Sequence, residues 1–189
     1  LRTQLGFNET DIILGTIARF DPIKNQLMMI NAFADATKDQ NDLYLLLVGD
    51  GEMRKALQQE VDKLGIKNKV IFTGYIAKPA THLALMDVFL LSSLSEGTSM
   101  TLLEAMSLSK PCIVTDAGGN PEIIIDQQNG LVTPNGCCSS FSHAIETLSS
   151  SPAKIKAMGE SGYNIFCEKF SAETMVSRYS SIYFETMEN

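Results

Sequence analysis

The sequence predicts an α/β fold: a doubly wound, mostly parallel sheet with helices on both faces and a helical carboxyl-terminal part. Three observations predict it. Strand-sized apolar runs alternate with longer segments of helical spacing, the runs are apolar throughout rather than alternating, and they stop after Pro134. A run without polar alternation suits a strand buried on both faces. Helical segments between such strands imply right-handed βαβ crossovers. At 189 residues, with 44% hydrophobic and 20% charged, the chain can close one sizeable core and is short for two. Residues 1–189 are therefore expected to form a single domain.

In chain order, "DIILGTI" (11–17) is the first predicted strand, opened by Asp11. Residues 24–38 follow as a helix, with Leu27, Ile30, Phe33, Ala34 and Thr37 on roughly one face. "LYLLLVG" (43–49) is the second strand, closed by Gly49, and residues 52–64 carry Met53, Leu57, Val61 and Leu64 at helical spacing. "KVIFTG" (69–74), "DVFLLSS" (87–93), "PCIVTD" (111–116) and "GLVTP" (130–134) are the remaining strands, each bounded by Gly, Asp or Pro. Three helical patterns complete the chain, the last with Met175, Tyr179, Ile182 and Tyr183 on one stripe.

Charge and cysteine usage narrow the function. A formal net charge of -7, with no basic run to offset it, argues against a nucleic-acid or anionic-membrane surface. Any bound anion must be held by a few local groups. Cys112, Cys137, Cys138 and Cys167 show neither zinc-ligand spacing nor the density of a disulfide scaffold, which suits a reducing compartment. No apolar span is long enough to cross a membrane, and "LRTQLGFNET" lacks the apolar centre of a signal peptide. A cytoplasmic protein is expected, with the start at Leu1 leaving room for a signal upstream.

In an open parallel sheet, ligands bind beyond the carboxyl ends of the strands. The loops there are "ARFDPIKNQ", with Arg19 and Lys24; "GDGE", with Gly49 and Gly51; "SLSEGTSM", with Glu96, Gly97, Ser99 and Met100; and "DAGGNPEII". Two basic residues, glycine-bearing turns and two helix starts on one edge suit phosphate.

Each piece also has a bland explanation. Arg19 and Lys24 taken alone read as solvated loop charges. "GDGEMR" has the first two glycines of a dinucleotide fingerprint but Arg54 where the third belongs, so a tight turn is the better reading. Thr101 and Glu104 fit a capping box, and "GGNPE" fits a plain turn before a short helix. Glu96 is harder to dismiss, because a carboxylate between a strand end and a helix start needs a partner.

The combination resembles one family. "SEGTSMTLLEAMSLSKPCIVTDAGGNPEII" resembles the motif of the large retaining glycosyltransferase family built on two glutamates separated by seven residues, here Glu96 and Glu104. "IARFDPIKNQLMMINAF" is similar to that family's phosphate-contacting loop and following helix, and "LYLLLVGDGEMRKALQQEVDKLGIKNKVIFTGYI" to its next segment. The resemblance runs from about residue 12 to residue 183. It implies the donor-binding, carboxyl-terminal half of a GT-B enzyme, in which two Rossmann-like halves face each other across a cleft.

It also implies roles. Arg19 and Lys24 would contact the donor diphosphate and stabilise the departing nucleotide. Glu104 would bind ribose hydroxyls, and Glu96 would lie by the donor sugar. Gly97 and the backbone of Ser99, Met100 and Thr101 would meet the diphosphate. Gly49, Gly51, Tyr75 and Ile76 would complete the nucleotide site. Two departures stand out: Ala18 where the family often has glycine, and Thr98 and Ser99 where it has an aromatic residue and glycine.

The division makes chemical sense, since phosphates need donors and sugar hydroxyls find acceptors in carboxylates. Catalysis then consists mainly of stabilising charge that builds on the leaving nucleoside diphosphate. No cofactor or metal is expected. The expected partners are a nucleotide-sugar donor and, through the missing amino-terminal half, a glycan or lipid acceptor. Any contact with the inner membrane face is expected through that half alone. Two alternatives stay open: a nucleotide-sugar epimerase of the same architecture, and a non-catalytic nucleotide-binding module.

Overall fold

The computed structural model describes residues 1–38, 40 and 42–187, with side chains through residue 183. Among the described residues, six strands form one sheet: β1 (Ile12–Ile17), β2 (Leu43–Val48), β3 (Val70–Gly74), β4 (Val88–Leu91), β5 (Cys112–Thr115) and β6 (Gly130–Thr133). The order is β3-β2-β1-β4-β5-β6, and every pairing is parallel. The helices are α1 (Gln26–Ala36), α2 (Arg54–Lys63), α3 (Ala80–Leu85), α4 (Met100–Ser107), α5 (Asn120–Ile123), α6 (Cys138–Ser149), α7 (Pro152–Lys169) and α8 (Ala172–Met187). The fold is α/β and Rossmann-like, as the unbroken apolar runs imply.

The period-two alternation of side chains in a strand divides the core in two. Leu14, Leu45, Leu47, Val88, Leu90 and Ile113 face one way, where α1 supplies Ile30 and Phe33, α2 supplies Leu57 and Val61, and α6 supplies Phe141, Ile145 and Leu148. Ile13, Leu46, Val48, Phe89, Leu91 and Val114 face the other way, against Leu83 of α3, Leu102 and Met106 of α4, and Ile123 of α5. Each such side chain contributes about 1.5–3 kcal/mol by leaving water. Helix α7 wraps from one face to the other, with Met158 in the first cluster and Ile165 in the second.

Several expectations are corrected. The predicted helix over 24–38 begins only at Gln26, because Pro22–Lys24 forms a 3₁₀ turn in which the Asp21 side chain accepts from the Lys24 amide. Leu27 lies on the outer face of α1, 39% exposed, while Met29 and Ala36 join the buried stripe. Ser92 and Ser93 fall outside β4. Strand β3 is an edge strand, half-buried from Ile71 to Gly74 rather than covered on both faces. The short helix α3 was not anticipated. The stripe of α8 is no correction: expected to be left exposed in this chain, it is so, with Tyr179 at 71% and Tyr183 at 70%.

The second edge strand, β6, is closed by its own preceding turn. Asp126 Oδ1 accepts from the Val132 amide at 2.9 Å, and the Gln127 amide donates to the Gly130 carbonyl at 2.9 Å. Both bonds occupy groups that an edge would otherwise offer to another chain. Among the described residues, no helix is long and apolar enough to cross a membrane, and no group of three or more His, Cys, Asp or Glu is placed to hold a metal ion.

Candidate functional site

From β1 the sheet runs one way to β2 and β3 and the other way from β4 to β6, so β1 and β4 flank the topological switch point. The crevice beyond their carboxyl ends is where such a sheet binds ligands. Two loops enclose it, residues 18–25 after β1 and 92–99 after β4.

The first loop is pinned from below. Gln26, 1% exposed, donates Nε2 to the Arg19 carbonyl at 2.8 Å. Asp21 accepts from the Lys24 amide at 3.0 Å and from Arg19 Nε at 2.8 Å. Burial works against the Asp21 charge, but the Arg19 hydrogen bond, the Lys24 amide and the two nearby cations outweigh it and hold this carboxyl below its usual value. Arg19 itself reaches into solvent, its side chain 78% exposed.

The two loops are then tied together. The Ser92 hydroxyl donates to the carbonyls of Lys24 at 2.8 Å and Asn25 at 3.1 Å, and the Leu94 amide donates to the Ile23 carbonyl at 2.8 Å. Glu96 Oε1 receives both Lys24 Nζ and Ser93 Oγ, each at 2.6 Å. This is the partner that a carboxylate at that position required. The pair is sheltered, with side-chain exposures of 26% for Lys24 and 9% for Glu96, so solvent screens it less than a surface pair. Among the described residues, Glu96 Oε2 accepts no hydrogen bond.

The loop carrying Glu96 has little room to move. Gly118 has φ +54, and a Cβ there would stand 1.7 Å from the Glu96 carbonyl oxygen, so only glycine allows this approach. Beyond Glu96, Ser99 is the N-cap of α4 but makes no side-chain cap hydrogen bond; its hydroxyl meets Thr101 Oγ1 at 3.0 Å instead. The capping box expected from Thr101 and Glu104 is therefore absent, because Thr101 already lies inside the first turn. Glu104 is exposed, and its carboxylate has no partner among the described residues. The amides of Gly97, Thr98, Ser99, Met100 and Thr101 likewise donate to no acceptor among the described residues.

The "GDGE" turn is structural at its base. A Cβ at Gly49 would stand 1.9 Å from the Ala18 carbonyl oxygen, so the missing side chain lets this turn pack on the Arg19 loop. Gly51 sits likewise against the backbone of Phe20. Above them opens a hollow of about 390 Å³ lined by Ile17, Ala18, Arg19, Gly49, Tyr75 and Ile76, with Tyr75 78% exposed.

Of the residues singled out from the sequence, the structure thus gathers Arg19, Gly49, Tyr75 and Ile76 around one hollow. It joins Lys24 to Glu96 in the adjoining crevice, next to Gly97, Ser99, Met100 and Thr101. It leaves Gly51 beneath the hollow and Glu104 on the outer surface of α4. Sequence reasoning missed Asp21, Gln26, Ser92 and Ser93. Only Asp21 carried a signal, an aspartate immediately before proline, which marks a helix-type start.

Residues 1–165 match the family described as "Glycosyl transferases group 1". The chain is 33% identical over 187 residues to N-acetyl-alpha-D-glucosaminyl L-malate synthase of Bacillus anthracis, covering 99% of this chain and 49% of that protein. In structure it is similar to Anabaena HepE in complex with UDP, with TM-score 0.89, 26% identity, and coverage of 97% of this chain and 51% of HepE. HepE with UDP-glucose compares at TM-score 0.87 and 27% identity. The C-terminal domain of the group 1 glycosyl transferase LpcC from Francisella tularensis has the same fold, with TM-score 0.80, 23% identity, and coverage of 91% of this chain and 99% of that domain. The chain thus spans about half the length of the full-length relatives that it matches. By sequence and fold together, this chain belongs to the group 1 glycosyl transferases and corresponds to their carboxyl-terminal, GT-B-type domain.

Proposed function

We propose that the chain binds a nucleoside-diphosphate sugar in the β1–β4 crevice, as the donor half of a retaining glycosyltransferase. The single observation that carries this reading is the row of unpartnered amides from Gly97 to Thr101, next in the chain to a carboxylate already paired with Lys24. Diphosphate oxygens would accept from those amides and from Arg19 and Lys24. The hollow at Gly49, Tyr75 and Ile76 would take the base, Glu104 the ribose hydroxyls, and Glu96 Oε2 a hydroxyl of the sugar. The HepE complexes with UDP and UDP-glucose support this ligand class.

In the reaction, the bond between the anomeric carbon and the β-phosphate oxygen breaks and the electron pair stays on the diphosphate. Arg19, Lys24 and the amides would stabilise that growing charge without reorganising, the preorganisation that favours a transition state over its ground state. The acceptor, a lipid, polysaccharide or other glycan, would be held by an amino-terminal half in the cytoplasm, with any membrane contact made through that half. The chain alone would then bind donor and transfer nothing.

A thermal-shift panel of uridine, guanosine, adenosine and cytidine diphosphate sugars tests the reading. At a ligand concentration one hundred times Kd, the stabilisation is about 2.7 kcal/mol, which raises Tm by roughly 5–10 °C for a chain of this size. A panel in which no member shifts Tm would overturn the proposal.

A further inference from the structure

We propose that Glu96 weakens the crevice's hold on a bare nucleoside diphosphate by pairing with Lys24, and that hydroxyls of the donor sugar relieve this penalty, so that intact donor is held in preference to spent nucleotide. The inference rests on the reading that a nucleotide sugar binds in this crevice.

The geometry is specific. At rest both crevice cations are already balanced by carboxylates, Lys24 by Glu96 at 2.6 Å and Arg19 by Asp21 at 2.8 Å. A diphosphate that recruits the Lys24 ammonium takes a donor away from Glu96 Oε1. Glu96 cannot follow it. Ser93, fully buried, holds the same oxygen at 2.6 Å, and its own carbonyl accepts from Thr115 Oγ1 at 2.6 Å. The carbonyl of Glu96 is backed against Gly118. The result is a carboxylate with only 9% of its side chain exposed, one oxygen bonded to Ser93 alone and the other without a donor. A sheltered charge short of hydrogen bonds is costly.

A bare diphosphate brings only acceptors and leaves that cost in place. A sugar brings hydroxyl donors, and Oε2 is the open position for one of them. The same pair therefore weakens the hold on spent nucleotide and favours donor, with Lys24 passing from carboxylate to phosphate as a sugar hydroxyl reaches Glu96.

The test is calorimetry of the chain with UDP and with UDP-glucose, or with GDP, ADP or CDP and the matching sugar where one of these binds more tightly. Glu96→Gln keeps an acceptor for Ser93 and Lys24 but removes the charge, and its melting curve verifies that it folds. Expected is at least about fivefold tighter binding of the bare diphosphate, because Lys24 then leaves a neutral partner rather than a charged one, with a smaller gain or a loss for the sugar form. In a Lys24→Met background the gain from Glu96→Gln should vanish. An unchanged affinity for the bare diphosphate, or an equal gain with and without Lys24, would overturn the proposal while leaving the donor site in place. A wild-type chain that binds none of the four diphosphates and none of their sugars would overturn both.

Discussion

The hollow beside Arg19 and Tyr75, which adjoins the β1–β4 crevice, and the hollow along β6 lie against the same sheet, and the second is the larger, about 520 Å³ against 390 Å³. Both contain paired polar side chains, but the crevice also keeps a row of amides with no acceptor among the described residues. Along β6, Asp126 takes the Val132 amide, Thr133 Oγ1 donates to the Val114 carbonyl, Thr147 Oγ1 to the His143 carbonyl, and Lys154 reaches Gln127. Even Ser139 and Ser140 are drawn to the Cys137 sulfur. In the crevice, the amides of Gly97 to Thr101 have no acceptor among the described residues, and on the exposed side of α4 the carboxylate of Glu104 has no partner among them either. On the proposed reading, unspent donors and acceptors at the switch point, rather than volume, mark the crevice as the ligand site.

That contrast can be broken by substitution. The largest effect is expected at Gly118→Ala, where the new methyl combines a positive φ with a clash against the Glu96 carbonyl, costing about 2–4 kcal/mol of stability. Gly136→Ala is its control, since Gly136 also has φ +71 but nothing within 4 Å of an added Cβ. It should cost only the backbone strain, about 1–2 kcal/mol. Equal losses in urea denaturation would remove the argument that the Glu96 loop is fitted against the turn at Gly118.

Next, Lys24→Ala should weaken a nucleoside diphosphate roughly tenfold to a hundredfold, the value of a charge-assisted hydrogen bond. Asp126→Ala, at the larger hollow, should leave that affinity unchanged and cost about 0.5–1.5 kcal/mol of stability through the lost Val132 bond. Calorimetry that found the two variants alike in nucleotide affinity would mean that the crevice is no more a phosphate site than the groove.

Glu104→Ala sharpens the account of the helix start. Nucleotide affinity should fall by a factor of about 2–10, one ordinary hydrogen bond, with stability almost unchanged because no capping box exists to lose. A loss of stability with intact binding would restore the capping role.

The smallest effect is chemical rather than energetic. Hydrogen bonds from Ser139 and then Ser140 bring the Cys137 thiol down to about 7, whereas burial pushes the Cys112 thiol up. The rate of iodoacetamide labelling at Cys137, followed by mass spectrometry, should therefore rise through about pH 7 and level off above it, with Cys112 silent in the folded chain. A midpoint near the ordinary thiol value of about 8.5 would contradict the serine contacts.

The sheet was legible because β1, β2, β4 and β5 are buried on both faces, which leaves an apolar run that nothing else of that length explains. The edge strand β3 was legible as a strand but not as an edge, since half-burial leaves the same apolar letters. Helix α1 was misread at Leu27 because the buried stripe is centred on Met29, Phe33 and Ala36, which puts Leu27 at its exposed margin. The residues of the crevice were legible as candidates from strand ends and glycine turns. Their pairing was not: Lys24 and Glu96 stand 72 positions apart, and only the adjacency of β1 and β4 brings them together. Ser92, Ser93 and Gln26 gave no signal, because a serine or glutamine that donates to a backbone carbonyl, or a serine that donates to a nearby carboxylate, looks like any other polar residue in sequence.

Hydrogen–deuterium exchange of the chain, with and without a saturating nucleoside-diphosphate sugar, tests the central claim most directly. Donor binding should slow exchange of the amides from Gly97 to Thr101, which have no acceptor among the described residues, and should leave the segment from Asp126 to Thr147 unchanged. Protection confined to the β6 and α6 segment, with the amides of Gly97 to Thr101 exchanging as before, would contradict the account.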